Sequence, residues 1–204
     1  MLLTCLLSIV NFFITAPPIL KDTATPNVVL IFMDDMGYGD PEVYGGIPYH
    51  TPNINKLAAS GMRFTNFYAA QAVCSASRAA LLTGCYPNRV GISGALMPWS
   101  TVALSPKEET IASIVKTKGY ATGMIGKWHL GAKAPYLPTS YGFDEYLGLP
   151  YSNDMWPVGY DGKPITDTGS KKSKYPTLQL LDGFNPVMPI SNLEDQSKLT
   201  TIYT

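Results

Sequence analysis

From Asn27 to Phe32 the chain reads Asn-Val-Val-Leu-Ile-Phe, apolar at every position after the first. A continuous run with β-branched residues predicts a strand covered on both faces, of the kind found inside parallel sheets. It ends in Met33-Asp34-Asp35-Met36-Gly37, which puts two neighbouring carboxylates at the strand's carboxyl end, where open α/β sheets carry their ligands. Thr51-Pro52 then supplies a cap and a first-turn proline for a helix with the apolar stripe Ile54, Leu57 and Ala58, closed by Gly61. Met62 to Ala69 alternates as a second strand, and a second helix is predicted from Ser75 to Thr83, stopped by Gly84. Ser105-Pro106-Lys107-Glu108 reads as the capping box of a third helix, whose buried face is Ile111, Ile114 and Val115 and whose end is Gly119. Tyr120 to Ile125 returns as a strand running into Gly126-Lys127-Trp128-His129-Leu130-Gly131. Strand and helix alternate, which predicts an α/β fold with a mostly parallel sheet flanked by helices. From Ala132 to Pro189 the chain is rich in Pro, Gly, Tyr and Asp and shows little periodicity.

The first apolar run, Leu2 to Ala16, falls short of the roughly 20 residues that a transmembrane helix needs. It reads as a secretory signal, residues 1–16, with a cut after Ala16; the alternative is a buried first strand or helix. A signal implies a secreted, periplasmic or lysosomal protein with no stable membrane anchor.

Composition narrows the class. Hydrophobic residues make up 46% of the 204 and charged residues 15%, which excludes a disordered tail or a coiled coil. Fifteen basic residues balance fifteen acidic ones, so there is no electrostatic case for a nucleic-acid partner. Three cysteines are too few for a disulfide scaffold.

The candidate chemistry lies in three places. Asp34 and Asp35 would repel each other unless a cation lies between them, and hard divalent ions take oxygen ligands of this kind; the alternative is a solvated turn. Asp40 reads either as a third oxygen donor or as a loop residue. Cys74 opens the second helix, at the positive end of its dipole, and Arg78 follows at i+4 on the same face, its planar fork suited to a tetrahedral oxyanion. The alternative for Cys74 is a buried cysteine packed as a small hydrophobe. The intervening helix argues against a Cys74–Cys85 disulfide. Lys127 and His129, two apart at a strand end, are predicted to point one way and Trp128 the other.

The stretches NVVLIFMDDMGYGD, TPNINKLAASGMRFTNFYAAQAVCSASRAALLTGCYPNRVG, GYATGMIGKWHLG and YGFDEYLGLPYSND together resemble, in order and spacing, the N-terminal half of a type I sulfatase of the alkaline-phosphatase superfamily. The resemblance implies an alkaline-phosphatase-like fold with residues 24–204 as the first part of a catalytic domain. It also implies hydrolysis of an aryl or carbohydrate sulfate ester, carried by a sulfated small molecule or glycan. In that family the cysteine, here Cys74, is oxidised by a formylglycine-generating enzyme to formylglycine, whose hydrate attacks sulfur. Asp34, Asp35 and the Cys74-derived group are then implied ligands of calcium, or of magnesium in its place. Arg78 steadies the nucleophile, Lys127 and His129 are catalytic and bind sulfate, and Ser152 binds substrate. Rival readings are a phosphonate or phosphodiester hydrolase on the same scaffold, and a non-catalytic homologue that keeps an anion pocket and an unmodified Cys74. Two departures stand out: Ala76 replaces the usual proline, and the family's later calcium and sulfate ligands are expected beyond Thr204.

Overall fold

The turn formers and caps set most element boundaries, and the structure, a computed structural model, describes residues 25–46 and 49–204. The predicted signal at 1–16 lies outside the described residues. The described residues divide into two units, one up to Met33 and one from Asp34. In the first, residues 25–33 have no regular secondary structure, and the side chains from Val28 to Phe32 are exposed. The strand predicted at Asn27–Phe32 therefore does not form. An apolar run of this kind holds as a strand only between hydrogen-bonded neighbours, and no described strand pairs with it.

The second unit contains helices α1 (Pro52–Ser60), α2 (Cys74–Thr83), α3 (Ile111–Lys116) and α4 (Leu193–Tyr203). Strands β1 (Gly123–Ile125), β2 (Glu145–Gly148), β3 (Leu178–Asp182) and β4 (Asn185–Ile190) form one sheet in the order β1-β2-β3-β4. The sheet is mixed rather than mostly parallel: β1 pairs with β2 in parallel, whereas β2–β3 and β3–β4 are antiparallel. For β3–β4 the reason is the two-residue link Gly183-Phe184. Gly183 takes φ +57°, so the chain reverses at once, and a hairpin joins antiparallel strands where a parallel pair needs a crossover.

Three other expectations shift. Ile111 and Ile114, read as the buried face of the third helix, are exposed, and Ala112 is its buried residue. Met62 to Ala69 is irregular, because its backbone is tied to the Glu42–Tyr44 turn rather than to a ladder. Arg63 Nη1 donates to the Val43 carbonyl at 2.6 Å and the Tyr44 hydroxyl to the Phe64 carbonyl at 2.9 Å. The third helix starts at Ile111, since Ser105 closes only an isolated turn, its Oγ accepting the Lys107 N–H at 3.2 Å. The working capping box is Thr110/Ser113: Thr110 Oγ1 accepts the Ser113 N–H at 3.1 Å and Ser113 Oγ accepts the Thr110 N–H at 2.9 Å. Thr110 is fully buried and also donates to the Tyr141 carbonyl at 2.5 Å.

Packing around Trp128 fixes the frame on which Lys127 and His129 sit. One apolar cluster joins Ala76 and Ala79 of α2 to Ile92, Leu104, Trp128, Leu130 and Tyr146. Trp128 is fully buried, its indole donates to the Tyr136 carbonyl at 2.8 Å, and its ring lies 5.2 Å from that of Tyr141. The parallel seam runs on past β1, with Gly126 N–H on the Leu147 carbonyl at 2.9 Å and Trp128 N–H on the Leu149 carbonyl at 2.9 Å. Only glycine fits at 148, because a Cβ there would stand 1.9 Å from the Gly126 carbonyl oxygen. A second cluster, with Leu149, Tyr151, Trp156, Leu178, Leu180, Ile190 and Leu199, covers the hairpin and α4.

Removing the Thr110 hydroxyl takes away the α3 cap and leaves the Tyr141 carbonyl without its donor. Thr110→Ala should lower unfolding free energy by about 2 to 3 kcal/mol, and Thr110→Ser by far less, in urea titrations of the two variants.

Candidate active site

Helix α2 follows from its composition. Alanine and leucine at 76, 79, 80, 81 and 82 favour helix, and Gly84 stops it in the left-handed region at φ +67°, its N–H on the Ala80 carbonyl. Ser75, Ala76, Arg78 and Ala79 are its buried residues, so the face at i, i+3 and i+4 packs inward. Val73, at the N-cap, offers no side-chain hydrogen bond. The first-turn N–H groups around Cys74 are thus left to another acceptor, the usual basis of anion affinity at a helix N-terminus. Cys74 is half-buried, and Cys74 and Cys85 are both free thiols, as the helix between them requires.

Arg78 points inward from the next turn. Its Nη1 donates to the Lys127 carbonyl at 2.6 Å and its Nη2 lies 3.6 Å from Asp34 Oδ1. Lys127 Nζ completes the cluster, 2.5 Å from Asp34 Oδ2 and 3.1 Å from Ser152 Oγ. Lys127 and Ser152 meet because the β1–β2 seam continues beyond both strands. Burial pushes the Asp34 pKa up, but the hydrogen bond and charge of Lys127, with Arg78 beside it, outweigh this and hold the carboxyl below its usual range. Asp34 is ionised at neutral pH.

His129 is buried to 1% exposure and has a left-handed backbone, φ +63°. The regular strand ends at Ile125, so Lys127 and His129 are not set by strand alternation. His129 Nε2 lies 2.7 Å from the Leu96 carbonyl oxygen. A carbonyl oxygen only accepts, so Nε2 carries the proton. Burial lowers the imidazole pKa to about 4, assisted by the charge of Lys127 and opposed by the Leu96 hydrogen bond. The ring is neutral at pH 7 and presents Nδ1 as a lone-pair acceptor, buried and without a protein partner.

Of the residues singled out in the sequence, Asp34, Arg78, Lys127 and Ser152 thus form one connected cluster, and His129 senses the charges of Lys127, Arg78 and Asp34. Asp35 follows Asp34 with φ +55°, a left-handed conformation uncommon for a residue with a Cβ. Asp40 serves its own loop, accepting the Gly37 N–H at 2.6 Å. Among the described residues no three of His, Cys, Asp and Glu gather as a metal-holding group, so Asp34, Asp35 and Cys74 are not drawn together as one. Ser75 and Leu96 carry no signal of a role in the sequence; Ser75 is legible there only as the residue three before Arg78 on the buried face.

The family model described as Sulfatase matches residues 26–204. The chain is 50% identical to arylsulfatase A of Homo sapiens over 135 residues, 65% of this chain and 27% of that protein. It is 38% identical to N-acetylgalactosamine-6-sulfatase of Sus scrofa over 186 residues, 87% of this chain and 34% of that one. The chain therefore spans between about a quarter and a third of these relatives' length. Among solved structures, the PsFucS1 sulfatase from Pseudoalteromonas sp. superposes with a TM-score of 0.71 at 35% identity, over 83% of this chain and 37% of that one. These neighbours carry the alkaline-phosphatase-like α/β fold, which is the fold of this chain.

The depressed His129 pKa has a stability consequence with a definite sign. The unfolded imidazole titrates near 6.5 and the folded one near 4, so its contribution is present above pH 6.5 and is lost as pH falls toward 4. The loss should be on the order of 3 kcal/mol. Urea melts at pH 7 and pH 4.5 should show it, and His129→Gln should flatten it; equal acid sensitivity in both proteins would remove His129 as the source.

Proposed function

The chain belongs to the sulfatase family, and on that premise we propose that it serves the hydrolysis of an aryl or carbohydrate sulfate ester. The observation that supports this best is the convergence of Lys127 and Arg78 on Asp34 beside Ser152, one helical turn along α2 from Cys74. Two cations share one carboxylate there, which leaves positive potential for a tetrahedral anion. The names of the relatives, arylsulfatase A and N-acetylgalactosamine-6-sulfatase, put aryl and sugar sulfates within the substrate class.

In this reading Cys74 is the residue oxidised by a formylglycine-generating enzyme, and the hydrated aldehyde supplies the attacking oxygen. Lys127 has three N–H donors, two of them used by Asp34 and Ser152, and turns the third to a sulfate oxygen. Arg78 fixes the Lys127 backbone and adds charge on the same side. Neutral His129 takes a proton or hydrogen bond at Nδ1. Ser152 orients the ammonium and meets the substrate.

Asp34 and Asp35 are hard oxygen donors and fit as two of the roughly six to eight ligands of calcium, or as ligands of magnesium in its place. Bound there, the ion would neutralise carboxylate charge and polarise a sulfate oxygen. Asp34 already balances two cations, so the remaining ligands must be other donors. The apolar run Leu2–Ala16 supports entry into a secretory, periplasmic or lysosomal route, where sulfated substrates are met.

Mass spectrometry of the peptide holding Cys74 tests the nucleophile. Produced with the modifying enzyme, it should be lighter by the mass of hydrogen sulfide less that of an oxygen atom, and a thiol alone would contradict the assignment. Cys74→Ser should not turn over, because a serine sulfate has no second hydroxyl to expel the product.

Lys127→Ala tests the anion site. It should lower kcat/KM for an aryl sulfate by roughly a hundredfold to a thousandfold, the scale of one preorganised donor, while thermal melting shows the fold kept by Arg78–Asp34. Undiminished turnover would show that Lys127 does not hold the anion.

A further inference from the structure

Ser75 follows Cys74 directly, is fully buried, and has no part in the sulfate chemistry. A serine in the first turn of a helix commonly bonds its own local backbone. Here its Oγ instead accepts the N–H of Leu96 at 3.0 Å, across 21 residues of sequence. The carbonyl of the same residue, Leu96, receives His129 Nε2–H at 2.7 Å. Leu96 lies in an irregular segment, so no strand ladder holds its backbone. Its side chain is packed in the core with Ala76 and Trp128, and the turn after it is closed by Met97 N–H on Ser100 Oγ at 2.7 Å. Leu96 is therefore gripped on its N–H by the helix that carries Cys74, and presents its carbonyl to the imidazole.

We propose that Ser75 is a positioning residue for His129: by holding the Leu96 N–H it fixes the Leu96 carbonyl on Nε2–H, and so keeps Nδ1 as the bare acceptor of the site. The inference rests on the reading of His129 as a group of that site. The physical logic is that the partner of one ring nitrogen decides which nitrogen bears the proton. Ser75 also ties the ring's orientation to the first turn of α2, so the Cys74-derived group and the imidazole are referenced to one rigid element. Without the Ser75 hydroxyl the Leu96 N–H loses its buried partner, the Leu96 peptides rotate to find another, and the carbonyl leaves the ring. The proton is then free to occupy either nitrogen.

The test combines imidazole nitrogen-15 NMR with kinetics on para-nitrophenyl sulfate, with rates normalised to the modified fraction of Cys74. The unsubstituted protein should show a single Nε2–H tautomer. Ser75→Ala should show a mixture of tautomers and a kcat lower by about tenfold, the low end for loss of a group that orients a ligand histidine. KM should stay within about twofold, since the anion contacts of Lys127 and Arg78 persist. Ser75→Cys, similar in volume but a weaker acceptor, should fall between, and decides the matter if Ser75→Ala does not fold. A pure Nε2–H tautomer in the folded variant overturns the proposal, whether or not activity falls. If the tautomer responds in the variant but the unsubstituted protein, carrying the ligands expected beyond Thr204, hydrolyses no sulfate ester, the positioning role stands and the sulfate-ester reading falls.

Discussion

Arg78 and Lys127 bring two positive charges almost out of water, with side chains only 10% and 13% exposed, and they do so next to each other. Neither would be tolerated there alone, because a buried charge without a partner costs several kcal/mol. Asp34 answers both, one oxygen toward each, and its side chain at 33% exposure keeps some contact with solvent. The Arg78–Lys127 carbonyl bond then locks α2 to the segment after β1. Remove the carboxylate and the two cations lose the counter-charge between them, at the point where α2 packs on the Trp128 core. The electrostatic demand of the site and the packing of the fold are therefore one requirement.

The glycine seam meets that requirement from the other side. Because the Gly126 carbonyl passes where a Cβ at 148 would be, the chain after β1 and the chain after β2 run in contact for several residues. That contact sets Ser152 against Lys127 and buries Trp128 beneath them. His129 reaches the Leu96 carbonyl only by a left-handed turn of its own backbone. Strained positions of this kind are found where the surrounding structure over-determines them, and the hydrogen bond to Leu96 together with the Trp128 packing supplies that determination.

Local signals in the sequence are reliable where the physics is local. Gly84 ends α2 as its position predicts, Pro52 begins α1, and the buried face of α2 can be read from the spacing of Ala76, Arg78 and Ala79. The capping box is misread from sequence because two Ser/Thr signals compete within six residues, and burial of Thr110 against Tyr141 decides between them. The β3–β4 hairpin is marked by Asp182-Gly183 but hidden by prolines at 186 and 189 that obscure strand alternation. For the site, residue types and resemblance single out Asp34, Cys74, Arg78, Lys127, His129 and Ser152. Nothing local indicates that Lys127 will bond Asp34 or that Ser75 will reach Leu96, since those pairings depend on how the chain folds back over long distances.

The Asp34–Lys127 bond closes a span of 93 residues and the Arg78–Lys127 bond one of 49. For a flexible chain the first closure alone costs about 4 kcal/mol of entropy. Helix α2 is only ten residues long, too short to be stable alone, and it relies on the packing of its buried face. Cys74 and the rest of α2 lie within the longer span, so the surroundings of the thiol exist only in the closed chain. Any opening of that span exposes the thiol and unpairs Asp34 in the same event.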